Sequence, residues 1–330
     1  MSSSTPPTMT AITQDRYGSS DVLRVETIPV PAIGPADVLV RVVAAAVDPG
    51  VWHLMTGRPL LLRLMGFGFR RPKVRVRGRD VAGRVEAVGS AVTGFAPGDE
   101  VFGCADGSFA EFVAVPQEAL AHKPAEVSFV DAAALPISGG TAMQALQAGG
   151  VRAGHRVLVI GAAGGVGSFA VQLAVGLGAS VTGVCSGRKV ELVRSLGAAD
   201  VIDYTREDLA GSGRRWDVII DTGGLRPVRD LLALLSPTGT VVIVGGDGGG
   251  SILGGIQRAL SPRAMFTKQH VRGLVAKELA SQHADLAARV AAGSLTPAID
   301  QVMPFTEAAA AIDRLEAGDV TGKVVLRVAG

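Results

Sequence analysis

The stretch Val157-Leu-Val-Ile-Gly161-Ala-Ala-Gly164-Gly-Val-Gly167 constrains this chain more than any other. A short aliphatic run, enough for one buried strand, enters a glycine-rich turn. The turn opens a segment with apolar Ala170, Leu173, Ala174 and Leu177 at helical spacing, which predicts a helix over 168–177. Strand, glycine turn and helix in this order are the context a dinucleotide pyrophosphate requires. Gly164 lets the backbone approach the phosphates, Gly165 and Val166 carry the turn into the helix, and Gly167 lets helix and strand pack closely. The helix N-terminus then offers free N–H groups and the positive end of its dipole. Ala162 stands where the commonest pattern has its first glycine, and glycines alone would fit an ordinary tight turn.

The surroundings favour the nucleotide reading. Short, almost wholly apolar strands are expected at 156–160, 181–184, 201–202, 217–220 and 240–244. Helical segments at 168–177, 189–196 and around 231–235 lie between them. Such strands fit a parallel sheet covered by helices on both faces, so this part is a doubly wound α/β domain. Upstream, strands at 38–43, 81–88, 100–102 and 109–115 alternate with Gly and Pro punctuation, as in a small antiparallel β unit. Ser128, with Asp131 three residues on, caps a helix to about residue 135, and another helix begins at Thr141. Helices at 280–292 and 306–316 and a closing strand at 324–328 complete the chain, and that strand can pair back with the first domain. With 330 residues, two cores are expected: a discontinuous domain of 1–125 and 295–330, and a nucleotide-binding domain of 126–294.

The end of the second strand bears on the choice of nucleotide. A site for NAD has an Asp or Glu about twenty residues beyond the glycines, to hold the ribose 2′-hydroxyl. Here the segment reads Val184-Cys-Ser-Gly-Arg-Lys189, without an acid. Ser186 can donate to a phosphate, and Arg188 and Lys189 can neutralise it, which favours NADPH. The alternative is that Arg188 and Lys189 are solvated residues of the next helix's first turn.

Composition excludes other classes. Lys and Arg number 32 and Asp and Glu 30, so nothing calls for nucleic acid or an anionic membrane as partner. No apolar run is long enough to span a bilayer, and the opening Met1-Ser-Ser-Ser-Thr reads as a frayed tail rather than a secretory signal. Cys104 and Cys185 are far apart, which suits a cytoplasmic protein and two small core residues. Neither has a neighbouring His or Cys at metal-ligand spacing.

Several separate segments, in order, resemble the zinc-free branch of the medium-chain dehydrogenase/reductase superfamily, the quinone oxidoreductases. They are Tyr17-Gly-Ser-Ser-Asp-Val-Leu23, Gly78-Arg-Asp-Val-Ala-Gly83, Gly98-Asp-Glu-Val-Phe102, Ala134-Leu-Pro-Ile-Ser-Gly-Gly-Thr-Ala142, the turn at 162–167, Leu196-Gly-Ala-Ala-Asp-Val-Ile-Asp-Tyr204 and Gly322-Lys-Val-Val325. The resemblance implies a GroES-like, mostly β catalytic domain made from the two chain ends, a central Rossmann domain, a cleft between them and a homodimer. It implies that Ser186, Lys189 and Tyr204 surround the 2′-phosphate. It also implies a nicotinamide near Thr141 and Val244-Gly245-Gly246, with Asp48 below it and Lys323 nearby. The metal-binding branch has a Cys near Val47 or Asp48 and a His followed by Glu near Arg79 and Asp80. Arg79 cannot ligate zinc, and no cysteine lies near residue 48.

Asp48-Pro49-Gly50-Val51, Asp221-Thr-Gly-Gly-Leu225 and Arg79 depart from the family's usual residues. The expected reaction is NADPH-dependent reduction of a quinone or conjugated enone. Arg79 is the candidate stabiliser of the resulting oxyanion and Asp48 the candidate proton relay, unless each serves only an ion pair. His53 is the nearest histidine, and a packing role suits it as well. Residues 54–77 mix apolar and basic side chains: an apolar substrate lid, a basic entrance for an acidic or thioester substrate, or a loop packed on the domain. The stretch 245–255 reads as a glycine-rich, mobile segment. An enoyl-thioester or biosynthetic tailoring reductase, and a non-catalytic NADPH-binding protein, are the rival readings.

Overall fold

The computed structural model describes residues 6–209, 211, 213–245 and 268–328. The chain divides into two compact units, one of Met1–Gly57, Leu62–Gly140 and Glu278–Gly330, the other of Arg58–Leu61 and Thr141–Lys277. These divisions differ from boundaries at 125/126 and 294/295. Helices Phe129–Ala134 and Ala280–Ala291 both belong to the first unit, because that is where their apolar faces pack. Leu286 of the later helix, for example, is fully buried with its methyls against the backbone of Gly139.

The first unit is built on a sheet of order Ile299–Pro304, Lys323–Arg327, Asp37–Val47, Asp80–Val88, Glu100–Cys104 and Leu120–His122, with Phe112–Pro116 also paired to Asp37–Val47. Only the first pair is parallel. The closing strand thus joins the N-terminal sheet, with Val325 opposite Ala46 and Leu326 opposite Ala45. Val38, Val40, Val42, Val81, Val101 and Phe109 supply the core of this unit. A hairpin of Thr8–Thr13 and Arg24–Pro29, unforeseen in the sequence, lies beside it. Helix Pro49–Thr56 was also unforeseen.

The second unit holds a parallel sheet of order Asp200–Asp203, Ser180–Cys185, Arg156–Ile160, Trp216–Asp221, Leu235–Ile243 and His270–Gly273. The order reverses beside the first strand in sequence, as in a Rossmann sheet, and ligands of such sheets bind outside the strands' carboxyl ends at that point. Leu158, Ile219, Leu231 and Val241 are fully buried, consistent with helices over both faces. Gly246 and the rest of the glycine-rich stretch after Gly245 lie outside the described residues.

Candidate functional site

In the second unit, strand Arg156–Ile160 ends at Gly161, whose φ of 79° only glycine adopts readily. The N–H groups of Gly161 and Ala162 both donate to Val184 O at 3.1 Å, and Thr222 Oγ1 donates to Ile160 O at 2.8 Å. These bonds tie the turn to the neighbouring strands. Helix Gly165–Gly176 starts here, with Gly164 at its N-cap and no side-chain hydrogen bond to its first N–H groups. A Cβ at Gly167 would stand 2.1 Å from Gly161 O, so this glycine is required by the protein's own packing. A Cβ at Gly164 would meet only Gly161 O, at 3.4 Å, an ordinary contact. Gly164 is thus not demanded by the fold, and a side chain there would occupy space in front of uncapped donors. The turn fits a dinucleotide phosphate on both counts.

At the end of the second strand, Asp203 stands in register with Cys185, and Tyr204 N donates to Cys185 O at 3.1 Å. Tyr204 is thereby brought level with Ser186 on the adjacent strand end, and Tyr204 is largely exposed. Lys189 N donates to Ser186 O at 2.9 Å, closing the turn that carries exposed Arg188 and half-buried Lys189. One acid does approach this turn, which the sequence segment alone concealed. Asp203 Oδ1 accepts from Thr205 N at 3.0 Å and from Thr205 Oγ1 at 2.7 Å, and the carboxylate also takes the Gly187 N–H. Its acceptor capacity is directed to the protein itself. Thr141 is half-buried in helix Pro136–Gly149, and Val244 N donates to Asp221 O at 2.9 Å. Gly245 is exposed with a φ of 74°, and Gly246 is outside the described residues.

The first unit gathers the other candidates around the start of strand Asp80–Val88. Asp48 is buried at the N-cap of helix Pro49–Thr56, where Oδ1 accepts from Gly50 N at 2.7 Å. Its Oδ2 is buried without a hydrogen-bond partner. Arg79 is not paired with Asp48. Its Nη2 donates to Glu278, and its Nε lies 3.2 Å from Asp106 Oδ1 without hydrogen-bond geometry. Burial works against the charged form of Arg79, but the carboxylates of Glu278, Asp106 and Asp48 outweigh it and hold its pKa above the ordinary value. Glu278 is pushed up by burial, with Arg79 pulling it back.

Lys323 is fully buried, and its Nζ donates to Asp80 Oδ2 at 3.0 Å. Asp80 Oδ1 accepts from Ile137 N at 2.9 Å. Burial, and secondarily the Asp48 carboxylate, push Asp80 up to about 6 against the pull of Lys323. Cys104 lies against Asp80, and burial pushes its thiol well up, so it is no nucleophile. The structure therefore joins Asp48, Arg79 and Lys323 in one charge cluster through Asp80, Asp106 and Glu278. Those last three were not singled out from sequence. Asp80 lies in the Gly78-Arg-Asp-Val-Ala segment that carries the resemblance, but without a role of its own there. His53 lies on the Pro49–Thr56 helix, its ring 5.1 Å from that of Trp52. Among the described residues no helix is long and apolar enough to cross a membrane.

Comparison with known proteins identifies the architecture. Residues 34–125 match the alcohol dehydrogenase GroES-like domain family, and residues 196–326 match the zinc-binding dehydrogenase family. Arg79 in this chain is no zinc ligand. A 2-methylene-furan-3-one reductase of Solanum lycopersicum is 35% identical over 98% of this chain and 80% of its own length. An NADPH-dependent alkenal/one oxidoreductase of Arabidopsis thaliana, a chloroplastic protein, is similar at 35% over 98% of this chain and 80% of its own. The solved quinone oxidoreductase of Coxiella burnetii superposes with a TM-score of 0.86 at 29% identity, covering 98% of this chain and 100% of that one. The chain therefore belongs to the medium-chain dehydrogenase/reductase superfamily, in its zinc-free quinone oxidoreductase-like branch, and is a nicotinamide-dependent oxidoreductase.

Proposed function

We propose that this protein reduces a quinone or a conjugated enone with NADPH. The observation that carries the NADPH preference is the strand-end register that sets Tyr204 beside Ser186, with Arg188 and Lys189 in the turn between Ser186 and the next helix. Two hydroxyls and two cations suit a 2′-phosphate, while the nearest acid, Asp203, is occupied by Thr205 and Gly187. The relatives' names, a furanone reductase, an alkenal/one oxidoreductase and a quinone oxidoreductase, support the acceptor class.

The Gly164–Gly167 turn and the helix N-terminus would hold the pyrophosphate, and Thr141, Val244, Gly245 and Gly246 the nicotinamide end. When bound, NADPH supplies a hydride equivalent. Reduction of a quinone or enone carbon leaves negative charge on the acceptor's oxygen, which must be stabilised and then protonated. Arg79 is the proposed source of positive charge, held in place by Glu278 and Asp106. Asp48 is the proposed proton relay, since one of its carboxylate oxygens has no partner in the fold. Lys323 neutralises Asp80 and so sets the charge of the cluster. The protein is also proposed to be a cytoplasmic homodimer, a setting that suits its two buried free cysteines.

The test is cofactor oxidation by the purified protein in the presence of a chelator, with quinones and enones as acceptors and NADH as control. Turnover with NADPH preferred is expected. Tight NADPH binding without turnover of any acceptor would overturn the reductase reading.

A further inference from the structure

The first unit contains a pocket of about 200 Å³, lined by none of the residues assigned above to the cofactor, the oxyanion or the proton. Its walls include Val51 and Leu54 of the Pro49–Thr56 helix, Phe67 and Val74 from the lid-like segment, and Arg77. Tyr17 holds that segment in place: its ring lies under the Arg63 guanidinium, 4.3 Å away, and its hydroxyl donates to Gly68 O at 2.6 Å, with Phe67 O at 3.0 Å alongside. Met65 also lines the pocket and is 57% exposed, which leaves the mouth apolar. Lys73, exposed, adds a positive charge there.

Arg77 is the unusual member. It is only 4% exposed, in a wall that is otherwise largely aliphatic and aromatic. Its backbone is fixed on both sides, with Arg77 N donating to Ile12 O at 3.0 Å and Phe109 N donating to Arg77 O at 2.8 Å. One end of its guanidinium donates to Val74 O, while Nε is buried without any hydrogen-bond partner. No carboxylate forms an ion pair with it among the described residues. Asp106 also lines the pocket and holds the Arg77 pKa up without forming an ion pair with it, its carboxylate standing 3.2 Å from Arg79 Nε instead. Burial pulls the Arg77 pKa down to about 10, the signature of a cation short of compensation. An arginine buried without a counter-charge is costly, and an anion entering the pocket would supply what it lacks.

We infer that this pocket is the acceptor pocket and that the preferred acceptor is apolar and carries a carboxylate, which Arg77 binds. The inference rests on the reductase reading for the reaction but not for the binding. A quinone or simple alkenal without a negative group would fill the apolar walls and leave Arg77 unanswered. A fatty or terpenoid enone acid would satisfy both.

The experiment compares an acid with its methyl ester. Calorimetric binding of 4-oxononanoate and methyl 4-oxononanoate, both saturated and unreactive, measures the site without turnover. Steady-state reduction of 4-oxo-2-nonenoate and its methyl ester measures the same discrimination during reaction. A charge-assisted hydrogen bond predicts that the acid is favoured about tenfold or more. Arg77→Met should bring the acid-to-ester ratio to about one, and Arg77→Lys, which keeps the charge but not Nε, should retain part of it. An ester bound as tightly as the acid by the unmodified protein, or a preference that survives in Arg77→Met, would overturn the inference. The comparison in the unmodified protein stands even if Arg77→Met does not fold. Acid-selective binding lost in the variants, with no enone turnover, would keep the anion pocket and remove the reductase reading instead.

Discussion

Lys323 Nζ lies 3.0 Å from Asp80 Oδ2, with side-chain exposures of 2% and 0%. The pair joins the closing strand of the chain to a strand 243 residues earlier, inside the first unit. Breaking it from the lysine side leaves a buried carboxylate with no cation. Lys323→Met is expected to cost about 3–5 kcal/mol in urea unfolding, with the double variant Asp80→Asn/Lys323→Met recovering most of it. The sign with pH follows from Asp80, whose folded pKa is raised by burial to about 6 from 3.8. A raised carboxyl favours the fold at low pH and loses that contribution as pH rises through the folded value. The Lys323→Met deficit should therefore be smaller at pH 5 than at pH 8. An equal deficit at both would mean that Asp80 is not the group left exposed to the loss.

His283 is 1% exposed, its Nδ1 has no hydrogen-bond partner, and burial pushes it down to about 4. The unfolded chain takes up this proton first, so the fold loses stability as pH falls from about 6.5 toward 4, by up to about 3 kcal/mol. The ring faces Phe102 at 6.2 Å between centroids, an apolar setting that a leucine can share. His283→Leu should flatten the acid limb of the melting temperature between pH 7 and pH 5. A slope identical to that of the unmodified protein would place acid sensitivity elsewhere.

The two glycines of the phosphate turn should behave differently when replaced by alanine. Gly167→Ala sets a Cβ 2.1 Å from Gly161 O, so the backbone must move, at a cost of roughly 1–3 kcal/mol in stability. Gly164 has an extended backbone (φ −85°, ψ 177°) that alanine accepts, and its Cβ would meet only Gly161 O at 3.4 Å. Gly164→Ala should melt within about 1 °C of the parent protein, yet bind NADPH about tenfold or more weakly by fluorescence titration, because the methyl displaces phosphate from the helix N-terminus. Unchanged binding would separate this turn from the cofactor.

The parallel sheet was legible because its strands are short, apolar and separated by amphipathic helices, a pattern set locally. The glycine turn was legible because Gly161 and Gly167 are demanded by backbone geometry and close packing, and Gly164 leaves room for a phosphate between them. What escaped was set by distant contact. The Pro49–Thr56 helix begins with Asp48 as cap and Pro49 in its first turn, a strong helix start, but Asp48 was weighed only for chemistry. The charge cluster was half visible. Asp48, Arg79 and Lys323 stand in recognisable segments, whereas their partners Asp106 and Glu278 come from loop and helix-entry positions with no motif, and Asp80 is one residue of a family segment with nothing local to mark it as an ion-pair partner. The carboxylate of Asp203 beside Gly187 depends on strand register, which no segment read alone reveals.

Asp48 offers the sharpest test of the reaction because its two carboxylate oxygens have different duties. Oδ1 caps the helix through Gly50 N, and an asparagine oxygen can do the same, so Asp48→Asn should lose no more than about 0.5 kcal/mol of stability. Oδ2 is the buried, unpartnered atom. If it relays the proton to the reduced acceptor, Asp48→Asn should lower kcat about 100-fold or more while leaving the affinity for NADPH in place. The same variant removes the charge that helps to raise Asp80, so any limb of the kcat–pH profile owed to that carboxyl should move to lower pH. An unchanged kcat with an unchanged pH profile would reduce Asp48 to a helix cap. The proton would then have to come from solvent or from a group outside this cluster, with Arg79 left to act on charge alone.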